Sequence, residues 1–517
     1  CRWAFGMPGG EVLTLLDALK QAGIQFVLAK HENAAGFMAE GTYHRTGAPG
    51  ILVATVGPGA LNGINVVENA RQDRVPMIVL TGCVDADLAQ TYTHQVLDQP
   101  QVFRPITKAS FTLNAPAAGV ITDKAIGIAM EGRKGPVHID VPIQVADTRA
   151  EPYSQTRPPA APMVPADPAL DAARAALAQA KRPLMIVGVD AMSENASTAV
   201  IAAAEHFGMP VITTYKAKGM IPESHALALG GAGLSPKADE VLMPFIAKAD
   251  VILCAGYDPI EMRTGWQNPW DPNQQYVIDI TAEPNHHYMH QATFNIIGDT
   301  SATLQAFQTA PRPDGWPRAE VSQCKATLDA AFAGNQSWGP HEVIRTCQEA
   351  LPADTLATVD SGAHRILLSQ IWQAEFPRAL TQSTALCTMG CAIPLAMGAQ
   401  LVEPKRTVVS FSGDAGFLMV AGEIATAAEL GLKTIFVVFV DASLALIELK
   451  QRSRQLANTG VDFARTDFAA LATAFGGRGH TVRSKPELEA ALAAAQPSET
   501  FTVIAAEIDK GAYDGAF

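Results

Sequence analysis

The chain has 517 residues, of which 48% are hydrophobic and 17% charged, and its formal net charge is −13 at pH 7. This length exceeds what one hydrophobic core can organise and predicts about three domains. The acidic balance, without a dense cluster of lysine and arginine, argues against nucleic acid as a partner. No apolar run in the sequence is long enough to cross a membrane.

Short apolar runs alternate with helical segments rich in alanine and leucine. In chain order, the predicted strands are "GILVATV" and "PMIVLTG", then "PLMIVGV", "MPVITT", "DVILCAG" and "QYVIDI", then "TVVSFSG", "KTIFVVFV" and "FTVIAAEI". Two proline-rich stretches, residues 150–168 and 310–320, are typical of linkers. They divide the chain into three predicted domains, residues 1–155, 165–310 and 320–517.

Strands that are apolar throughout and flanked by helices predict parallel sheets that are covered on both faces. The predicted fold class is therefore α/β, with three doubly wound parallel-sheet domains. In such sheets, ligands bind beyond the carboxyl ends of the strands, where small-residue loops lead into helices.

The cysteines and the start of the chain bear on its location. Seven cysteines, an odd number scattered through a large chain, predict a reducing compartment, the cytoplasm. Nothing at Cys1 resembles a signal peptide. Cys387 and Cys391 are close together, but no second Cys or His pair with zinc-ligand spacing lies near them, so no metal role is expected for this pair.

Two carboxylates in the last third follow predicted strands. Asp414 comes directly after "TVVSFSG", and the next strand, "KTIFVVFV", ends at Asp441, so 441 − 414 = 27 positions separate them. A strand-helix-strand unit has about that length, which predicts that both acids meet at one sheet edge. Together with a backbone carbonyl and phosphate oxygens they would suit Mg²⁺, while small neighbours let backbone N–H groups reach the phosphates. Taken singly, each acid is more simply a helix cap or a solvated loop residue.

A third carboxylate, Glu32, opens a predicted helix after "IQFVLA", where capping is its simpler role. Together, however, "HENAAGFMAEG", "GPG" and "GDAG" with 27 residues to "VDAS" resemble the thiamine diphosphate-dependent enzymes over nearly the whole chain. Within that superfamily the sequence is most similar to acetolactate synthases and acetohydroxyacid synthases, through "AFGMPGGEV", "THQVLDQ", "GYDPIE", "VDSGAH", "CTMGCAIPLAMGA" and "GDAGFLM".

The resemblance implies that thiamine diphosphate and Mg²⁺ bind on the third domain. Asp414, Asp441 and the backbone carbonyl of Ser443 are then the metal ligands. Glu32 is the catalytic carboxylate that bonds N1′ of the aminopyrimidine and promotes removal of the C2 proton. Met389 supports the bent cofactor. The other implied cofactor contacts are Gly362, Ala363, His364, Cys387 through its backbone, Gly413, Ala415, Gly416, Leu444, Leu446 and Ile447.

The implied reaction is decarboxylation of a 2-keto acid such as pyruvate and transfer of the C2-bound carbanion to a carbonyl acceptor, which gives 2-acetolactate from two pyruvates. His94 and Gln95 are implied to border the substrate, with a surface turn as the alternative. A 2-keto acid decarboxylase, an acyltransferase and a diketone C–C lyase or hydrolase would use the same cofactor and stay open. The sequence retains Glu32, Asp414 and Asp441, which argues against a family member that has lost its catalytic activity. A nicotinamide dehydrogenase would need a glycine fingerprint that the sequence lacks.

The resemblance also implies an assembly. In this family one subunit holds the pyrimidine and another the diphosphate, so a homodimer is the minimum and a homotetramer the usual state. The implied partners are a small 2-keto acid and a carbonyl acceptor, with neither nucleic acid nor a membrane. FAD is not expected, because the middle domain lacks a convincing dinucleotide fingerprint.

Several residues depart from the family's pattern or leave two roles open. Ala415 adds a methyl group where glycine is usual, Val440 stands where asparagine is common, and Lys450 occupies the position of a frequent tryptophan. Arg263 is either a contact for an acidic substrate or a surface residue. Lys108 either lies near the active site or makes a structural salt bridge. These departures are compatible with cofactor binding. They leave open which acceptor and which donor the enzyme uses.

Overall fold

The structure, a computed structural model, describes residues 1–155, 157–158, 160–334 and 337–517. The linker predicted at 150–168 thus includes two residues, Thr156 and Pro159, that lie outside the described set. Within the described ranges the chain forms three six-stranded sheets, and the paired strands of each sheet run parallel. Helices connect most successive strands. The predicted fold class is confirmed.

The first sheet belongs to the N-terminal part of the chain. Its strands are β1 (Trp3–Gly6), β2 (Gln25–Leu28), β3 (Gly50–Ala54), β4 (Met77–Cys83), β5 (Ala109–Thr112) and β6 (Pro136–Pro142). Its helices are α1 (Leu13–Gln21), α2 (Glu32–Thr46), α3 (Pro58–Asn62), α4 (Ile64–Gln72), α5 (Gln99–Phe103), α6 (Ala118–Met130) and α7 (Ile143–Ala146). The strand order is β2-β1-β3-β4-β6-β5.

The second sheet occupies the middle of the chain. Its strands are β7 (Pro183–Val187), β8 (Val211–Thr214), β9 (Ala228–Ala232), β10 (Val251–Ala255), β11 (Tyr276–Thr281) and β12 (Phe294–Ile297). The helices of this part are α8 (Pro168–Gln179), α9 (Val189–Ser193), α10 (Ser197–Phe207), α11 (Pro236–Ile246) and α12 (Thr300–Phe307). The strand order is β12-β11-β10-β7-β8-β9.

The third sheet carries the two carboxylates that follow strands. Its strands are β13 (Leu356–Val359), β14 (Leu380–Gln382), β15 (Val408–Gly413), β16 (Ile435–Val440), β17 (Arg478–Val482) and β18 (Thr502–Glu507), in the order β14-β13-β15-β16-β18-β17. The helices are α13 (Arg318–Ala331), α14 (Pro340–Ala350), α15 (Ala363–Ile371), α16 (Ala392–Val402), α17 (Asp414–Met419), α18 (Glu423–Glu429), α19 (Ala445–Ser453), α20 (Phe468–Ala474) and α21 (Lys485–Ala495). Because β15 and β16 are neighbours, with Gly413 opposite Phe439, the ends of these two strands lie side by side.

The central strands form because their residues fit a sheet that is covered on both faces. All six residues of β16, "IFVVFV", are buried, and β-branched and aromatic side chains fill such positions well. Short 3₁₀ segments lie at Gly10–Val12, Leu88–Gln90, Arg104–Ile106, Ala115–Ala117, Pro259–Glu261 and Thr264–Trp266. Among the described residues, no helix is both long enough and apolar enough to cross a membrane.

The first and third sheets are joined by direct packing of α2 on α16. The two helices approach closely at glycines: a Cβ on Gly41 would lie 2.4 Å from the carbonyl oxygen of Leu395, and one on Gly398 would lie 2.1 Å from that of Met38. Side chains of both helices share one hydrophobic core. The N-terminal and C-terminal parts of one chain are therefore held in a fixed relation by this contact.

A buried group of charged and polar side chains connects all three sheets. This interdomain polar cluster consists of Glu40, His44 and Asp73 from the first part, Lys216 from the second and Thr384 from the third. Lys216 Nζ donates to Asp73 Oδ2 at 2.9 Å and lies 3.5 Å from Glu40 Oε1. The backbone N–H and the hydroxyl of Thr384 donate to Asp73 at 3.1 and 2.6 Å. His44 Nε2 lies 3.1 Å from Glu40 Oε1. The cluster thus fixes the start of the loop that follows β14.

Candidate active site

A pocket lies beyond the carboxyl ends of β13, β15 and β16. It is formed by small residues, two carboxylates and one face of α19. The lining residues are Ser361, Gly362, Ala363, His364, Met389, Gly413, Asp414, Ala415, Gly416, Phe439, Asp441, Ser443, Leu444, Ala445, Leu446, Ile447 and Tyr513. The structure thus brings together every residue of the third domain that the sequence predicted for cofactor or metal binding, except Cys387.

The two predicted metal ligands stand next to each other and are buried. Asp414 begins α17, where its Oδ1 accepts the N–H of Ala415 at 2.8 Å and its Oδ2 accepts the N–H of Ala442 at 2.7 Å. Ala442 has a φ of 56°, and this left-handed turn after β16 directs its N–H toward Asp414. Asp441 Oδ1 accepts the N–H of Ser443 at 3.2 Å. Backbone N–H groups therefore fix the orientation of both carboxylates.

The electrostatics of this pair favour a cation between the carboxylates. Burial raises the pKa of Asp414, against the opposing effect of its backbone hydrogen bonds. Burial and then the charge of Asp414 raise the pKa of Asp441 to about 7. Two neighbouring acids in a site of low polarity oppose each other's ionisation, and a divalent cation removes that penalty. The donor set of carboxylate oxygens fits Mg²⁺, which prefers oxygen ligands.

A buried carboxylate that the sequence analysis missed, Asp360, joins three loops of the pocket. It follows β13 directly and is fully buried. Asp360 Oδ1 lies 2.8 Å from His364 Nε2 and accepts the N–H of Gly413 at 3.3 Å. Its Oδ2 accepts the N–H of Gly390 at 2.7 Å. A Cβ on Gly416 would lie 1.9 Å from Oδ2, so only glycine fits beside this carboxylate. The position after a strand, shared with Asp414, was the signal that could have identified Asp360.

His364 is held in place by its surroundings. Its ring stacks on Phe439, with the ring centroids 5.4 Å apart, and its Nε2 faces Asp360. A Cβ on Gly362 would lie 2.5 Å from Cε1 of the same ring. The glycine therefore leaves room for the imidazole at the pocket wall, where the sequence analysis placed a contact to the diphosphate.

Met389 and Cys387 lie on the loop after β14. Met389 lines the pocket, beside the Gly390 N–H that Asp360 holds. Cys387, with a φ of 52°, does not line the pocket; its Sγ accepts from Arg365 Nη1 at 2.9 Å and points to the carbonyl oxygen of Thr384 at 3.2 Å. The thiol of Cys387 is thus engaged within the loop, and a backbone role for this residue stays a prediction.

Glu32 lies at the start of α2 and does not line this pocket. It is buried, and its Oε2 accepts from Asn62 Nδ2 at 3.0 Å. A Cβ on Gly59 would lie 3.0 Å from Oε1, so this oxygen faces the glycine. The side chain that caps α2 is that of His31, whose Nδ1 accepts the N–H of Asn33 at 3.2 Å. The helix cap is thus His31 and not Glu32, and Asn62 is a partner of Glu32 that the sequence analysis missed.

Of the two predicted substrate residues, Gln95 lies against the start of α3. His94 and Gln95 are exposed, and Gln95 adopts a φ of 57°. A Cβ on Gly57 would lie 3.4 Å from Cβ of Gln95. Gly57 precedes α3 and Gly59 lies in its first turn, so Gln95 and Glu32 both lie against the start of α3. The structure does not bring His94 or Gln95 into the pocket of the third domain.

Three further residues have structural contacts or lie on the surface. Lys108 Nζ donates to the carbonyl oxygen of Glu131 at 2.5 Å, which favours its structural alternative. Arg263 forms an ion pair with Asp239, with Nε 2.7 Å from Oδ2, inside the middle domain. Lys450 is exposed on α19. None of these three side chains lines the pocket.

Three doubly wound sheets with a small-residue edge and paired buried acids on the third define an α/β enzyme with a candidate site for a phosphorylated cofactor. Family profiles for the thiamine pyrophosphate enzymes match the chain in three places: the N-terminal TPP binding domain at residues 1–102, the central domain at 170–307 and the C-terminal TPP binding domain at 360–506. The chain belongs to the thiamine pyrophosphate enzyme family.

Individual relatives agree with the profiles. "Acetolactate synthase" of Bacillus subtilis (strain 168) is 30% identical over 98% of this chain and 90% of its own length. "Acetolactate synthase, catabolic" of Raoultella terrigena is 29% identical over 98% and 92% of the two chains. "Acetolactate synthase large subunit" of Parasynechococcus marenigrum (strain WH8102) is 31% identical over 98% and 85%. The resemblance inferred from the sequence is confirmed.

Substitution of Asp360 by asparagine is expected to weaken thiamine diphosphate binding about tenfold. An amide group cannot accept all the N–H donors that now face the carboxylate, and a mismatched buried donor costs about 1–3 kcal/mol. The measurement is calorimetric titration of the apoprotein with thiamine diphosphate in the presence of Mg²⁺. Asp354→Asn, on an exposed acid of the same domain, is the matched control and should bind normally. Equal affinity of both variants would contradict the role of Asp360 in holding the three loops.

Proposed function

We propose that this enzyme is a thiamine diphosphate- and Mg²⁺-dependent carboligase of acetolactate synthase type. The observation that carries the proposal is the pocket beyond β15 and β16, where Asp414, Asp441 and Met389 lie together. The names of the relatives, which are acetolactate synthases matched over nearly their full length, supply the reaction. The donor is pyruvate, and the two-carbon unit left after decarboxylation is transferred to a carbonyl acceptor.

The cofactor contacts follow from the residues that line the pocket. Asp414, Asp441 and the backbone carbonyl of Ser443 would hold Mg²⁺. The N–H groups at the start of α17, opened by glycine at 413 and 416, favour the diphosphate, as does the start of α15 at 362–364. Leu444, Leu446 and Ile447 line the same pocket as Met389 and offer it an apolar wall. The backbone of Cys387 completes the proposed pyrimidine contacts.

The chain's own residues have separate tasks in the proposed reaction. Thiamine diphosphate, when bound, supplies the carbon nucleophile and accepts the electrons of decarboxylation. Glu32, oriented by Asn62, holds a proton at the aminopyrimidine. His94 and Gln95 are proposed to orient the carbonyl or carboxylate of the substrate once a partner subunit brings the two halves of the site together.

Two observations support a homodimer as the minimum unit. Glu32 lies outside the pocket that holds the proposed metal ligands of the same chain. Leu28 is 45%, Leu61 43% and Met419, at the end of α17, 65% exposed. We infer that a partner chain covers these apolar side chains, since a contiguous exposed apolar surface marks an interaction site. A homotetramer, a cytoplasmic location and the absence of FAD stay predictions.

The proposed domain boundaries are residues 1–155, 165–310 and 320–517. The three sheets fall within these ranges. Helix α13, at the start of the last range, packs with Val321, Cys324 and Leu328 in the same hydrophobic core as α11 of the middle domain. The second linker thus leads into a helix that joins the two domains.

Incubation of the purified chain with pyruvate, thiamine diphosphate and Mg²⁺ tests the function. We expect release of CO₂ together with 2-acetolactate, detected directly and as acetoin after acid treatment, and no product when Mg²⁺ is removed by a chelator. Release of CO₂ without acetolactate or acetoin would overturn the carboligase assignment in favour of a 2-keto acid decarboxylase. No consumption of pyruvate by cofactor-loaded protein would overturn pyruvate as the donor.

A further inference from the structure

The second sheet carries a buried group of side chains with metal-binding atoms. Cys254 lies on β10 and Asp279 on β11, and the two residues are direct partners across these neighbouring strands, so their side chains emerge on the same face. His290 comes from the segment that leads from β11 to β12. One ligand atom from each of the three residues lies within 4.8 Å of the other two. All three residues are buried.

Several polar atoms of this group are buried without a partner. Among the described residues, neither Asp279 Oδ1 nor His290 Nδ1 has a hydrogen-bond partner. Asp279 Oδ2 lies 3.1 Å from His290 Nε2. An unsatisfied buried polar atom costs about 1–3 kcal/mol, and a bound cation compensates a buried carboxylate far better than one histidine does.

A fourth donor lies close by. The ring of His287 is centred 4.7 Å from that of His290, and its buried Nε2 also has no hydrogen-bond partner in the described part of the chain. Two aromatic rings also pack near His290: the ring centroids of Trp270 and Tyr257 lie 4.9 and 5.4 Å from that of His290. The site is thus shielded from water, as closed structural metal sites are.

We propose that Cys254, Asp279 and His290 bind a zinc ion, with His287 as the fourth ligand. Sulfur, nitrogen and oxygen donors in one set fit tetrahedral Zn²⁺, whereas Mg²⁺ and Ca²⁺ take oxygen ligands alone. The ion would connect β10, β11 and the segment 282–293, and its role is structural because the ligand set is closed. This site lies on a different sheet from the candidate active site, and the proposal does not depend on the reaction that the enzyme catalyses.

The test is the metal content of the full-length chain. The protein is reduced, loaded with Zn²⁺ and passed over a desalting column, and zinc is measured by mass spectrometry. We expect about one zinc ion per chain in the wild type and less than about a tenth of that in Cys254→Ala and His290→Ala. The matched control is Cys347→Ala, another buried cysteine of the core, which should retain the ion.

Cobalt loading gives an independent readout. A thiolate ligand produces an intense near-ultraviolet charge-transfer band with Co²⁺, which we expect in the wild type and in Cys347→Ala but not in Cys254→Ala. A strong chelator should lower the Tm of the wild type and leave that of Cys254→Ala unchanged. Wild-type protein that retains no zinc, or a Cys254→Ala variant that retains as much as wild type, would overturn the proposal and leave Asp279 and His290 as a hydrogen-bonded pair.

Discussion

Substitution of Glu32 by glutamine is expected to lower kcat for acetolactate formation by about 10²–10⁴-fold. The amide preserves the size of the side chain and can still bond Asn62, whose Nδ2 now donates to Glu32 Oε2 at 3.0 Å. It cannot take up and release a proton at the aminopyrimidine. The measurement is steady-state turnover of pyruvate at saturating thiamine diphosphate and Mg²⁺, with cofactor affinity determined separately. The loss should fall on kcat more than on cofactor affinity.

A half-buried glutamate of the middle domain provides the control. Glu194 Oε2 accepts the N–H of Thr300 at 2.8 Å, and burial raises the pKa of Glu194 to about 7. Glu194→Gln makes the same chemical change at a half-buried, hydrogen-bonded glutamate outside the candidate site. Its turnover should equal that of the wild type. Wild-type turnover in Glu32→Gln as well would contradict the role assigned to Glu32.

Mixed dimers separate a shared site from one formed within a single chain. In a dimer of one Glu32→Gln chain and one Asp414→Asn chain, one of the two shared sites keeps both carboxylates. Random reassociation makes half of the dimers mixed, so the mixture should recover about a quarter of wild-type turnover. If each site were formed within one chain, every site would lack one carboxylate and the mixture would stay inactive.

The main features of the fold and half of the site could be predicted from sequence because both depend on local patterns. Apolar runs such as "IFVVFV" mark strands that are buried on both faces, and an acid at the end of such a strand must lie at the sheet edge. Asp414 and Asp441 were found by that rule. Asp360, which follows β13, obeys the same rule and was overlooked because it has no partner at a comparable spacing.

Contacts between distant segments could not be predicted in this way. The bond from Asn62 to Glu32 depends on how α3 packs against the start of α2, which no periodicity encodes. Arg263 has an equally nonlocal partner in Asp239. The interdomain polar cluster requires the relative placement of three sheets, so its members are ordinary helix and loop residues until the domains pack together.

Lys216 is the only lysine of this cluster, as defined above, and its ammonium lowers the pKa of two buried carboxylates. Burial raises the pKa of Glu40 to about 7, and the Lys216 ammonium opposes this effect. Burial would also raise the pKa of Asp73, but Lys216 and the hydrogen bonds from Thr384 outweigh burial and hold that pKa below its usual range. Without the ammonium, both carboxyl groups would be left in the core without a counter-charge.

Lys216→Met is therefore expected to destabilise the fold by about 3–5 kcal/mol, the usual cost of breaking a buried ion pair by removing one partner. The variant raises the pKa of both acids above their unfolded values, so its stability falls as pH rises. The deficit should be larger near pH 8 than near pH 6, where protonation relieves it. The measurements are Tm by calorimetry and the urea midpoint at both pH values.

Two further variants distinguish charge compensation from loss of packing. Lys181→Met, on an exposed lysine, should leave Tm within about 1 °C of the wild type at either pH. Adding Asp73→Asn to Lys216→Met removes one uncompensated carboxylate, so the double variant should be more stable than Lys216→Met near pH 8. A deficit that is independent of pH and unchanged in the double variant would mean that the methylene chain of Lys216 acts by packing alone. Recovery of stability in the double variant would instead show that the charge of Lys216 holds the three sheets in one arrangement. The loop that carries Met389 is part of that arrangement.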